Sequence, residues 1–295
     1  MPAAQASTAR TGPRVNLAVA EAIAGIALLS VMDAIIKGVA ARYPVIEVAF
    51  MRFAVGAVVI GAILAVVRPG WPSRETLVVN GGRAILVVST ATTFFYALST
   101  LPLAETLALS FLAPVFIAGF GALILGERID RRIVGALVAG FVGMLVIVSG
   151  KAGGGSLEGS ALTGAIAAVA SAVTYALAMV LLRARAAKDP VVTIVALQNG
   201  VSAAILAIPA AFVWVTPTAA DAMLFAAIGS LGVIGHLLLS RAFAKAEAAR
   251  LAPLEYTALV WAVLLGFVFF GEMPTLSTLA GAALIVGGAL IASRR

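Results

Sequence analysis

Apolar runs of about 20 residues, each long enough to cross roughly 30 Å of hydrocarbon as a helix, recur from Leu17 to Arg295 with only short polar breaks. No soluble domain fits between them, so the pattern implies an all-α integral membrane protein. Composition agrees: 62% of residues are apolar and 29 glycines add about a tenth more, against about 45–50% for that combined set in soluble domains. With no cysteine and one histidine, a disulfide framework, a thiolate metal site and the usual zinc spacings are excluded, and no metal or cofactor is expected. Residues 1–16 are polar and carry Arg10 and Arg14, like the basic region of a signal peptide, but the apolar run that follows outlasts a signal core and lacks a convincing cleavage site. It is read as helix 1, behind a cytoplasmic N-terminal segment.

Ten helices are expected, at 17–37, 46–66, 76–98, 103–125, 133–149, 160–182, 191–214, 222–244, 249–270 and 276–292. The breaks between them are turn chemistry: Tyr43-Pro44, Arg68-Pro69-Gly70, Leu101-Pro102, Asp189-Pro190 and Trp214 to Pro217. The Gly-rich stretch 151–159 reads as a linker between two halves, 17–150 and 160–295. Basic residues orient the chain, since Lys and Arg favour cytoplasmic loops. With the N-terminus inside, Arg10, Arg14, Arg68, Arg74, Arg128, Arg131, Arg132, Arg183, Arg185, Lys188, Arg241, Lys245, Arg250, Arg294 and Arg295 fall inside, and only Lys37, Arg42 and Lys151 outside. Both termini are then cytoplasmic. The net charge of +7 reflects this topology and contact with anionic lipid, and no basic surface suggests nucleic acid as a partner.

The halves repeat at a spacing of about 145 positions. Lys37 to Pro44 matches Arg183 to Pro190, and Gly121, Gly126 and Glu127 match Gly266, Gly271 and Glu272. Five helices per repeat is odd, so the second copy is inverted. Loop charges agree: the basic Arg128 to Arg132 loop corresponds to the uncharged Met273 to Thr275. An inverted repeat places a binding site near mid-bilayer between the halves, reached alternately from either side. The alternative is an ancient duplication without transport.

Phe111-Leu112-Ala113-Pro114-Val115-Phe116, Leu125-Gly126-Glu127-Arg128, His236-Leu237-Leu238, Ala252-Pro253-Leu254-Glu255-Tyr256 and Gly271-Glu272 resemble the EamA repeats of the drug/metabolite transporter superfamily. The resemblance runs from Leu17 onward and is greatest to the YddG type of bacterial aromatic amino-acid exporter. It implies ten transmembrane helices as two inverted five-helix EamA repeats around a central cavity, lined mostly by helices 1–4 and 6–9, in the bacterial inner membrane. The implied function is export of amino acids and related metabolites; the alternative within the superfamily is uptake of a nucleoside- or vitamin-like metabolite such as S-adenosylmethionine or riboflavin. The partners are then a small-molecule substrate and the lipid bilayer, for a monomer or weak homodimer.

Charges inside helices mark where chemistry can reside, because each costs on the order of 2.5–3.5 kcal/mol on insertion scales. Asp33, Arg52 and Glu105 lie in the outer half, Glu47 at its boundary, and Glu21, Arg83, His236 and Glu255 in the inner half. Matching depth pairs Arg52 with Asp33 or Glu105, and Arg83 with Glu21 or Glu255, either as packing contacts or as gates. His236 allows proton coupling, with Glu255 as its relay partner; the plainer reading is one interhelical hydrogen bond. For the cavity, polar and aromatic residues near mid-helix are the candidates: Ser89, Tyr96, Phe111, Ser171, Tyr175, Gln198, Asn199, His236, Tyr256 and Trp261. Tyr43, Trp71 and Trp214 read instead as an interfacial belt.

Glycines on helices 4, 5, 8 and 10 read as close-packing positions. Pro114, placed mid-helix, predicts a kink that is either a hinge or a static bend, whereas Pro253 falls in a first turn. Gly126 and Gly271 read as helix stops. An enzyme is not expected: no H-E-x-x-H, G-x-S-x-G or P-loop lysine is present.

Overall fold

The turn residues of the sequence become helix ends. The computed structural model describes residues 12–101, 106, 109–110, 112–129, 131–149, 160–271 and 276–293. In order these form α1 (Gly12–Ala40), α2 (Val45–Val67), α3 (Arg74–Thr100), α4 (Ala113–Leu125), α5 (Arg131–Ser149), α6 (Ser160–Ala186), α7 (Val191–Phe212), α8 (Ala219–Lys245), α9 (Ala248–Leu251), a 3₁₀ turn (Ala252–Tyr256), α10 (Thr257–Phe270) and α11 (Leu276–Ser293). No strand occurs among the described residues. Among the described residues, seven helices are long and apolar enough to cross a membrane; ten were expected of the whole chain. Helix α4 has only 13 residues, about 20 Å of rise.

Matching caps start and stop the two halves. Pro44 precedes α2 as Pro190 precedes α7. Ser73 accepts from the Thr76 amide at the start of α3, and Thr218 from the Asp221 amide at the start of α8, each cap contributing about 1 kcal/mol. Gly126 and Gly271 close α4 and α10 at φ 68° and 65°, a left-handed conformation that glycine adopts without steric cost.

Two helices expected to be continuous are interrupted. Leu112 forms a turn and α4 starts at Ala113, so Pro114 sits in a first turn and not mid-helix. Its missing donor is one of the orphans of a helix start, and no mid-helix kink arises there. The expected helix 249–270 is divided likewise into α9, the 3₁₀ turn and α10, with Pro253 opening the turn.

Helix directions follow from which ends meet. Lys245, at the end of α8, bonds Glu21 near the start of α1, and Asp221, at the start of α8, meets Arg42 just beyond the end of α1. The two helices are antiparallel, and Gly25 and Gly235 let them close: a Cβ on Gly25 would lie 2.9 Å from the Gly235 carbonyl oxygen. In the same way α3 packs antiparallel on α6, with Tyr96 bonding Thr163 at one end and Glu75 meeting Arg185 at the other. Helix α2 packs on α7, and α5 on α11. Exchanging the halves reproduces this set of neighbours, and α6 runs opposite to its counterpart α1. Tyr43, expected in an interfacial belt, is buried and bonds Asp221; Trp71 is 94% exposed.

Candidate functional site

A cavity of about 180 Å³ lies between the halves. Helices α1, α2, α3, α6 and α8 line it, with Ser110, Ala113 and Pro114 from one interrupted segment and Glu255 and Ala258 from the other. Helix α7, expected at the cavity, supplies none of the lining. The lining follows the repeat: Ile26, Leu29 and Asp33 on α1 occupy the same i, i+3, i+7 stripe as Ala172, Tyr175 and Met179 on α6. Ser110 answers to Glu255, Ala91 to His236 and Ala113 to Ala258 in the same way.

Four of the expected charged or titratable groups face this space: Asp33, Arg52, His236 and Glu255. The Arg52 guanidinium donates to Asn199 Oδ1 at 3.4 Å and stands 4.1 Å from the centre of the Phe53 ring. Asp33 interacts with it electrostatically, but among the described residues no carboxylate is within 4 Å of Arg52. The expected Arg52–Asp33 pair is therefore separated within one cavity. The 2.7 Å approach of His236 Nδ1 to the Gly232 carbonyl assigns the ring proton to Nδ1, so Arg52 Nη2, 3.3 Å away, is a neighbour and not a donor to it. Glu255 does not act as partner to His236. Both its oxygens lie near the Tyr175 hydroxyl, at 3.0 and 3.1 Å, which donates to the carboxylate.

Other expected site residues fall elsewhere. Ser171 and Pro114 line the cavity, but Ser89, Tyr96 and Tyr256 miss it by one residue each, since Thr90, Phe95 and Glu255 face it. A helix turns about 100° per residue, so a neighbour in sequence points to another side. Tyr256 instead packs against α5, where a Cβ on Gly140 would lie 2.2 Å from its ring. Trp261 joins an apolar cluster around Met179 and Phe243. Arg83 meets neither Glu21 nor Glu255; it donates to Gln198 Oε1 at 2.8 Å, while Glu21 is held by Lys245 at 2.6 Å. Asn199 supports Arg52 from outside the lining. Glu105 and Phe111 lie outside the described residues. Pattern reading missed Phe53, Phe94, Phe95, Ser30 and Thr90 in the lining. Carrying a chosen position across the repeat, from Glu255 to Ser110 or from Tyr175 to Leu29, was the available signal for the rest.

Polar clusters tie the halves at both ends of the bundle. At the α1–α2 end, Asp221 accepts from Arg42, Tyr43 and Thr218, and the Val215 amide donates to Glu47. At the α2–α3 end, Asp189 accepts from Arg185, Thr76 and Asn80. Burial opposes ionisation of Asp189, but these hydrogen bonds and the guanidinium charge outweigh it and hold its pKa below the usual value. Glu127 accepts from Arg183 and from the Ala248 amide at the same end.

Residues 16–149 and 162–294 each match the EamA-like transporter family. The pseudopaline exporter CntI of Pseudomonas aeruginosa (strain UCBPP-PA14) is 32% identical over 274 residues, covering 90% of this chain and 92% of that protein. An S-adenosylmethionine uptake transporter of Rickettsia bellii (strain RML369-C) is 26% identical over 262 residues, 88% of each chain. A protein of known crystal structure superposes with a TM-score of 0.77 over 94% of this chain and 96% of its own, at 24% identity, a likeness of fold alone.

Proposed function

The chain belongs to the EamA-like transporter family of the drug/metabolite transporter superfamily, and from that membership and the charged cavity we propose a ten-span secondary carrier of the bacterial inner membrane that exports amino acids, aromatic and other apolar ones among them, by alternating access. Its two inverted five-helix repeats are 17–150 and 160–295, with both termini cytoplasmic, a reading supported by the loop charges. The observation that carries it is the mid-helix cavity between the halves, where Asp33, Arg52 and Glu255 stand among Phe53, Phe94 and Phe95. Opposite charges on an apolar, aromatic wall suit a solute with a charged head and an apolar side chain.

The second reading is uptake of a nucleoside- or vitamin-like metabolite such as S-adenosylmethionine or riboflavin, and the Rickettsia relative, by its name, supports the S-adenosylmethionine member of it. A cavity of about 180 Å³ lies below the roughly 300–1,000 Å³ of drug-sized pockets, which favours an amino acid over those larger solutes. The test is transport by purified protein in liposomes of labelled tryptophan, phenylalanine, methionine, S-adenosylmethionine and riboflavin, with and without a pH gradient. Movement of the amino acids is expected. Movement of only the nucleoside or vitamin solutes replaces this reading with the second.

A further inference from the structure

Two facing charges in the cavity are held apart, and that separation carries an inference that rests on the carrier reading above. Ions of opposite sign in a low-dielectric interior attract strongly, and contact in good geometry offsets part of their desolvation. Arg52 and Asp33 forgo it: Asn199 supports the guanidinium, and the described residues give the Asp33 carboxylate no hydrogen bond. Glu255 differs, being held by the Tyr175 hydroxyl. The geometry points to a head site for an α-amino acid zwitterion, with Arg52 taking the solute's carboxylate, Asp33 its ammonium, and Phe53, Phe94 and Phe95 its side chain. Guanidinium matches a carboxylate with two parallel N–H donors, and an ammonium suits the carboxylate acceptors of Asp33, which no described residue occupies. The solute completes the ion pair that the scaffold leaves open, so both of its charged groups are required.

Recognition is then of the head, and removing either charge defeats it. In liposomes holding the wild-type protein, unlabelled phenylalanine methyl ester, which lacks the carboxylate, and N-acetylphenylalanine, which lacks the ammonium, should compete with labelled phenylalanine roughly tenfold or more weakly than phenylalanine itself. Arg52→Gln should abolish the preference for the acid over its ester and keep the preference over the N-acetyl compound; Asp33→Asn should do the reverse. Arg52→Lys, which keeps the charge and loses the fork, should weaken binding with both preferences intact. This mirror pattern is one that a packing role does not produce. If both analogues compete as well as phenylalanine, or if the two variants lose both preferences alike, the head site is overturned and the carrier reading stands. If no amino acid enters the liposomes, the amino-acid reading falls. Thermal stabilisation of the detergent-solubilised protein by the same three compounds then decides the head site: stabilisation by phenylalanine alone keeps it, and equal or absent stabilisation overturns it.

Discussion

Arg83 is fully buried and has a single acceptor, Gln198 Oε1, with its Nε and Nη1 unpaired among the described residues. A buried cation without a counter-charge is a cost that the fold carries, so removing the charge and removing its partner have opposite consequences. Arg83→Met should leave thermal stability in detergent unchanged or raised. Gln198→Leu should lower it by about 1.5–3 kcal/mol, the range for a hydrogen bond to a charged group, and the double variant should recover most of that loss. Destabilisation by Arg83→Met equal to that by Gln198→Leu would sink this account. The residue scale is also where the sequence was most and least legible. Of the charged and titratable residues that stood out within apolar runs, Asp33, Arg52, His236 and Glu255 face the cavity, whereas Arg83, Glu21 and Glu47 meet partners elsewhere. The aromatic and hydroxyl residues did not stand out, because which side a residue faces depends on helix rotation that tertiary packing sets. Tyr256 and Glu255 are adjacent in sequence and face opposite ways.

At the scale of elements, helices meet through glycine where lipid supplies no hydrophobic drive for association. Gly25 on α1 lies against the backbone of Gly235 on α8, and backbone cannot swing aside as a flexible side chain can. Gly25→Leu should therefore destabilise by about 1–3 kcal/mol, the usual cost of overpacking. Gly61→Leu is the control: nothing lies within 4 Å of a Cβ built there, and stability should be unchanged. Equal melting temperatures for the two variants would refute close packing at Gly25. Of the elements, capped and continuous helices were legible, whereas the breaks ahead of α4 and α10 were not. Pro114 inside an apolar run reads as a kink, and only the neighbouring backbone reveals that the helix has started again just before it.

For the whole molecule, the two end clusters are related by the repeat and built alike. The central carboxylates Asp189 and Asp221 are 6% and 11% exposed, and each cluster has one exposed outer member, Glu75 at 70% and Arg42 at 52%. Both clusters join one half to the other, so the state described is tied at each end with the cavity between. On the alternating-access reading, opening one side requires breaking the links on that side alone. The absence of cysteine allows a clean test, because a single Ala91→Cys places the one thiol of the protein in the cavity lining. Asp221→Ala in that background should raise labelling by a membrane-impermeant thiol reagent applied from the α1–α2 side. Asp189→Ala should raise it from the α2–α3 side, which the basic loops place in the cytoplasm. The Asp189 cluster should also hold in mild acid. Its carboxylate titrates below the usual value, so its contribution to stability is complete above that value and disappears only as the pH falls through the lowered one. If either variant raised labelling from both sides equally, the clusters would be general braces and not side-specific latches.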